Sequence, residues 1–154
     1  MLSHFKILIS ILFFSQGMST GLQFLSIPSS ANDLIMFHSP WRNPSFLNTL
    51  EKSPKLSFAY GKWFSETENM SFEWQGKIKS QSTGISMRYV GINDIELREN
   101  RPSSDPLGYY GAYGVSTKVA SSFSRRNINY GFALQMISMQ IYQDESTGFA
   151  ADLG

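Results

Sequence analysis

The sequence predicts an all-β protein: an antiparallel up-and-down sheet of about six strands, preceded by an irregular segment. Three observations carry that prediction. From Lys55 onward apolar residues recur with period two, the alternating stretches are long, and polar or proline-bearing turns separate them.

The elements follow in order. Leu56–Phe64 is an aromatic-rich strand, and Ser65–Glu68 is short enough to close a hairpin. In Asn69–Lys79 the residues Met70, Phe72, Trp74, Gly76 and Ile78 alternate with Ser71, Glu73, Gln75, Lys77 and Lys79, so one face is apolar and the other charged. After a turn at 80–83, Gly84–Leu97 places Ile85, Met87 and Tyr89 opposite Ser86 and Arg88, with a bulge or bend expected at Asn93 and Asp94. A polar loop, 98–108, leads into Tyr109–Phe123. The turn 124–127 joins it to Ile128–Tyr142, and the turn 143–146 to a last strand, Thr147–Leu153.

Ahead of the strands, the segment 20–55 holds four of the six prolines and many Ser and Asn, yet carries enough Leu, Ile, Phe and Trp to dock. A short helix is expected at Ser45–Glu51 with Ser45 as its N-cap. Residues 1–19, with Lys6 before the apolar run Ile7–Phe14 and small residues at Gly17 and Ser19, read as a cleaved signal peptide. The run is far short of the ~20 residues that span a bilayer as a helix.

Composition narrows the chemistry. Thirteen Lys and Arg face twelve Asp and Glu, which leaves no basic surplus for nucleic acid. There is no cysteine and only His4 and His38, so disulfides, thiolate metal sites and histidine triads have almost nothing to be built from. No cofactor, metal or enzymatic activity is expected. The carboxylate pairs Glu66/Glu68 and Asp144/Glu145 fall in expected turns, and Gly108–Gly114 lacks the Lys-Ser/Thr ending of a phosphate loop.

Only 16% of residues are charged, and several strands run well past the usual ~5–6 residues, long enough for the ~9–11 that cross a bilayer at a tilt. Aromatic residues near strand ends suit the girdles of an outer-membrane barrel. A transmembrane β-barrel is therefore preferred over a secreted β-sandwich or lipocalin-like binder. Six strands fall short of the eight of the smallest single-chain barrels, so 56–154 is expected to be the front part of a longer barrel.

Four stretches resemble the PorV/PorQ-like family of outer-membrane proteins, relatives of the FadL-type barrel. Gly21-Leu-Gln-Phe-Leu-Ser-Ile-Pro-Ser-Ser-Ala31 is similar to the family's opening block. Trp41-Arg-Asn-Pro-Ser-Phe-Leu47 resembles its aromatic-Asn-Pro-Ala-Gly-Leu motif, with Arg42 inserted. Asp94-Ile-Glu-Leu-Arg98 sits where a Gly-Asp-Ile-Glu-like stretch leads into a large loop. Thr147, Gly148, Phe149, Asp152 and Gly154 match the Thr-Gly-Phe-Ala-x-Asp-Leu-Gly signature, the most specific of the four. The family's glycine-rich Met-Gly-Gly-Ala block is missing or shortened, the chain running Ala31–His38 instead.

The resemblance implies a barrel of about fourteen strands with an N-terminal hatch, placed in the outer membrane of a Gram-negative type of cell. It also implies a non-enzymatic accessory or docking role in type IX-like protein secretion, with cargo proteins and other secretion subunits as partners. A FadL-like transporter of hydrophobic molecules is the alternative. Trp41, Asn43 and Pro44 are the candidate hatch turn. Glu73, Gln75, Lys77 and Arg88 are the candidate lumen network, and Met70, Phe72, Trp74 and Ile78 the candidate lipid-facing residues.

Overall fold

A computed structural model of the chain describes residues 39–49, 53–63, 66–79, 81–98 and 105–154. The signal-peptide assignment and most of the segment before the sheet lie outside the described residues. Six strands form one open antiparallel sheet in sequence order: β1 Lys55–Lys62, β2 Glu68–Ile78, β3 Gln81–Leu97, β4 Gly108–Arg125, β5 Ile128–Ile141 and β6 Asp144–Leu153. The all-β, up-and-down architecture read from the alternation is the one observed.

Three turns are tighter than the sequence indicated. β3 starts at Gln81, β4 runs to Arg125 and β6 starts at Asp144, so the expected turns 80–83, 124–127 and 143–146 shrink to two-residue connections. The polar residues that suggested wide loops are ladder residues instead, and Asp144 and Glu145 belong to β6. The turns use the left-handed region without glycine, at Asn127 (φ 65°), which suits it, and at Lys79 (φ 58°), Arg126 (φ 50°) and Tyr142 (φ 56°), which sequence rules disfavour there. Two successive positive φ values at 126–127 match the turn whose twist suits a two-residue hairpin. The bulge expected at Asn93 and Asp94 is present, since the β3–β4 register shifts between Ile92 and Ile95 and Asp94 has φ 61°.

Register lines up residues of one kind across all six strands. On one face Phe58, Phe72, Met87, Thr117, Met136 and Phe149 are successive partners, and so are Leu56, Trp74, Ile85, Val119, Leu134 and Ala151. On the other face the matching rows are Ser57, Glu73, Ser86, Lys118, Gln135, Ala150 and Ala59, Ser71, Arg88, Ser116, Ile137, Gly148. In these rows large apolar side chains share the face left open to solvent, while small and polar ones, with Ile137, share the face that is covered.

That cover is a short segment, 39–49, containing a 3₁₀ helix at Pro44–Thr49. The short helix expected at Ser45–Glu51 is a 3₁₀ helix that begins one residue earlier. Its cap is Asn43, not Ser45: Asn43 Oδ1 accepts hydrogen bonds from the Ser45 backbone N–H (3.0 Å) and the Ser45 hydroxyl (2.7 Å). Pro44 fits the first helical position because its missing N–H would have had no partner there. The buried apolar core is small and sits where the segment meets the sheet: Trp41, Leu47, Ala120 and Ala133.

Candidate functional site

The site is the docked face and the segment lying on it. Small residues make the landing area. Adding a Cβ at Gly84 would bring it within 2.8 Å of Trp41 Cη2 and 3.1 Å of Leu47 Cδ2, so the indole rests directly on the β3 backbone. Gly131 faces the Pro44–Ser45 backbone and Gly154 faces the Asn43 side chain, each too closely for a Cβ. Gly131 and Gly154 also exchange backbone hydrogen bonds of 2.8 and 3.0 Å, which extends the β5–β6 ladder under the segment.

Polar contacts fasten the segment. Lys118 Nζ donates to the Trp41 carbonyl (2.9 Å) and to Asp152 Oδ2 (2.7 Å), linking β4, β6 and the segment through one ammonium. The Ser82 hydroxyl donates to Asn48 Oδ1 (3.0 Å), while Asn48 Nδ2 donates to Ser124 and Ser124 in turn to Asn129. Nothing in the sequence singled out Lys118. Its signal was a lone cation on the small-residue face of β4, between Ser116 and Ala120.

The expected site residues fall as follows. Trp41 and Pro44 are buried and Asn43 is half-buried, all three in the docked segment. Glu73, Gln75, Lys77 and Arg88 share the docked face. Glu73 is only 3% exposed, and the register makes Arg88 its diagonal neighbour on β3. Lys77 lies apart from them, exposed near the β2–β3 turn. On the open face Met70, Phe72 and Ile78 are exposed, while Trp74 is half-buried with its ring folded over Gly76. Of the signature residues, Thr147, Gly148 and Phe149 are exposed on β6, and Asp152 and Gly154 belong to the docking contacts.

Beyond the charged rows, toward the β1–β2 and β5–β6 connections, the sheet has an apolar hollow of about 150 Å³. Val90, Ile92, Ala112, Met139 and Ile141 line it together with Thr67. The acidic pairs build no comparable site: Glu66, Asp144 and Glu145 are exposed. Among the described residues no group of three or more His, Asp or Glu is placed to hold a metal ion.

The open face carries two aromatic pairs at different heights. Tyr89 and Tyr113 stack at 6.1 Å between centroids, and Phe123 and Tyr130 at 5.3 Å. Tyr113 and Phe123 lie on the same strand, roughly 33 Å apart at ~3.3 Å per residue. For strands tilted by ~40° that corresponds to a height difference of about 25 Å between the two pairs. Comparison of the chain with protein-family models, with curated proteins and with solved structures found no match to any of them.

Proposed function

We propose that the chain forms part of the wall of an outer-membrane β-barrel, its open face toward lipid, its docked face toward the lumen, and the 39–49 segment inside as a hatch. The observation that carries this reading is the inverted polarity of the sheet. A water-soluble sheet buries its apolar face and exposes its polar one. Here whole rows of Phe, Met, Leu, Ile and Trp lie on the uncovered face, with Phe58 at 72% and Phe149 at 82% exposure, and along the same rows the covered face holds mostly Ser, Gly, Glu, Lys and Arg. An apolar band of about 25 Å between aromatic pairs is the height such a wall needs. The edges of β1 and β6 must then be paired by further strands, because lipid offers no hydrogen-bond partner to an open edge.

On its resemblance to the PorV/PorQ-like proteins, the barrel acts without catalysis, as an accessory or docking component of protein secretion. Its loop end would meet cargo and other secretion subunits at the cell surface, after export by the N-terminal signal. A second reading, passage of hydrophobic molecules, is favoured by one observation: the apolar hollow on the lumen side, which the charged rows of β2 alone would not have indicated.

Phase separation of the full-length product tests both. Recovery in the detergent phase, with an electrophoretic mobility that changes on heating, is expected of a barrel, and recovery in the aqueous phase without detergent sinks that reading. In the same preparation, saturable fluorescence of an apolar dye favours transport, and its absence favours docking.

A further inference from the structure

The charges of the sheet are segregated by end. Past the row that joins Gln75, Gly84, Ala120, Ala133 and Asp152, the end with the β2–β3 and β4–β5 hairpins carries Lys77, Lys79, Arg125 and Arg126. All four are exposed, and that end has no acidic side chain among the described residues. The opposite end carries Glu66, Glu68, Asp94, Glu96, Asp105, Asp144 and Glu145 against Lys62 and Arg98. Those two cations are already matched, Lys62 to Glu66 at 3.9 Å and Arg98 to Glu96 at 2.6 Å. None of the four hairpin-end cations has an ion pair of this kind among the described residues.

Position adds to charge. By strand alternation Arg125 shares the open face with Phe123, two residues further toward the end, and its ladder partner Ile128 is exposed beside it. Lys79 and Arg126 sit at the tips of their hairpins, where the left-handed backbone turns the chain. Lys79, Arg125 and Arg126 therefore form a collar immediately beyond the aromatic pair Phe123–Tyr130, at the level where headgroups would lie if the open face contacts lipid. Long basic side chains place their stems on apolar surface and their charges in that layer.

We infer that the hairpin end is a docking surface for the phosphate headgroups of anionic phospholipid, with Lys79, Arg125 and Arg126 as its contacts. This rests on the membrane reading, in which the loop end meets the cell surface, and adds to it a lipid preference: the hairpin end lies against the phospholipid leaflet. Electrostatic attraction of exposed basic groups to such a surface is additive over nearby cations and fades over a Debye length as salt rises.

The test compares the full chain with vesicles of phosphatidylcholine alone and of phosphatidylcholine mixed with phosphatidylglycerol, by co-sedimentation at low salt. The expected result is binding to both, about tenfold or more tighter to the anionic vesicles. The preference should fall as salt is raised and vanish in the K79Q/R125Q/R126Q variant, whose strand circular dichroism and binding to neutral vesicles stay as in the parent. Equal binding of the parent to both vesicles, or a preference retained by the variant, overturns the inference and leaves the membrane reading standing. Failure to associate with either vesicle overturns both. Inorganic phosphate at matched ionic strength should not compete, and if it does the surface is a free-phosphate site. Preference for lipid A vesicles over the phosphatidylglycerol mixture would reverse the assigned direction and also overturn the inference.

Discussion

At Trp41 the indole packs on Gly84 and Leu47, while its Nε1–H is buried with no acceptor among the described residues. Packing, not hydrogen bonding, should then account for what the ring contributes. Trp41→Ala is expected to destabilise docking of the segment by about 3 kcal/mol, and Trp41→Phe, which keeps most of the contact and removes the orphaned donor, by under about 1 kcal/mol. Protease protection of 39–49 in the full chain measures both, and equal losses would show that the N–H has a partner after all. Asn43 and Pro44 were legible beforehand because an Asn-Pro pair has a local chemistry, the side-chain oxygen turning back onto the second following N–H. Lys118 was not legible. Its two acceptors are 34 and 77 residues away in sequence, and no local pattern encodes a contact of that kind.

Strands were read well where alternation is strict and poorly where they turn. Asn69–Lys79 differs from β2 by one residue at each end, because Phe72, Trp74 and Ile78 against Glu73, Gln75 and Lys77 leave little freedom in register. Composition overstates the turn lengths because Ser, Asn and Asp are loop residues in general, whereas here the turning residues include Lys79, Arg126 and Tyr142. Such residues hold a left-handed conformation at a cost that glycine or asparagine would lessen. Replacing Arg126→Asn together with Asn127→Gly supplies the preferred residues for the observed geometry, and should stabilise the β4–β5 hairpin by about 1 kcal/mol. The shift in denaturation midpoint in detergent reports it. A loss of stability would mean that the Arg126 side chain itself contributes contacts there.

For the whole molecule, period two reveals that the sheet has two unlike faces but is silent on which one is covered. The landing of 39–49 on the polar side decides that, and its contacts with Ser82, Lys118 and Ser124 depend on strands far away in the chain. The charge separation was hidden for a related reason: a formal net charge of +1 averages two ends of opposite sign that alternate along the sequence. Phe72→Arg tests the assignment of faces, since Phe72 lies near the middle of the apolar band. It should cost about 2–4 kcal/mol of stability in a bilayer, as for a charge at the midplane. An effect within about 0.5 kcal/mol, the usual range for a surface substitution, would return the open face to water. The docked segment also has a bearing on the order of assembly. It lies upstream of every strand, yet its landing surface is assembled from β3, β4, β5 and Gly154, which lies beside Asn43. The segment emerges early in synthesis but has no complete seat until the later strands have paired. Closing loops of this length must await the ladder that rewards them. Its arrival would thus mark a finished sheet, and protection of 39–49 should appear after, never before, protection of the β5–β6 ladder.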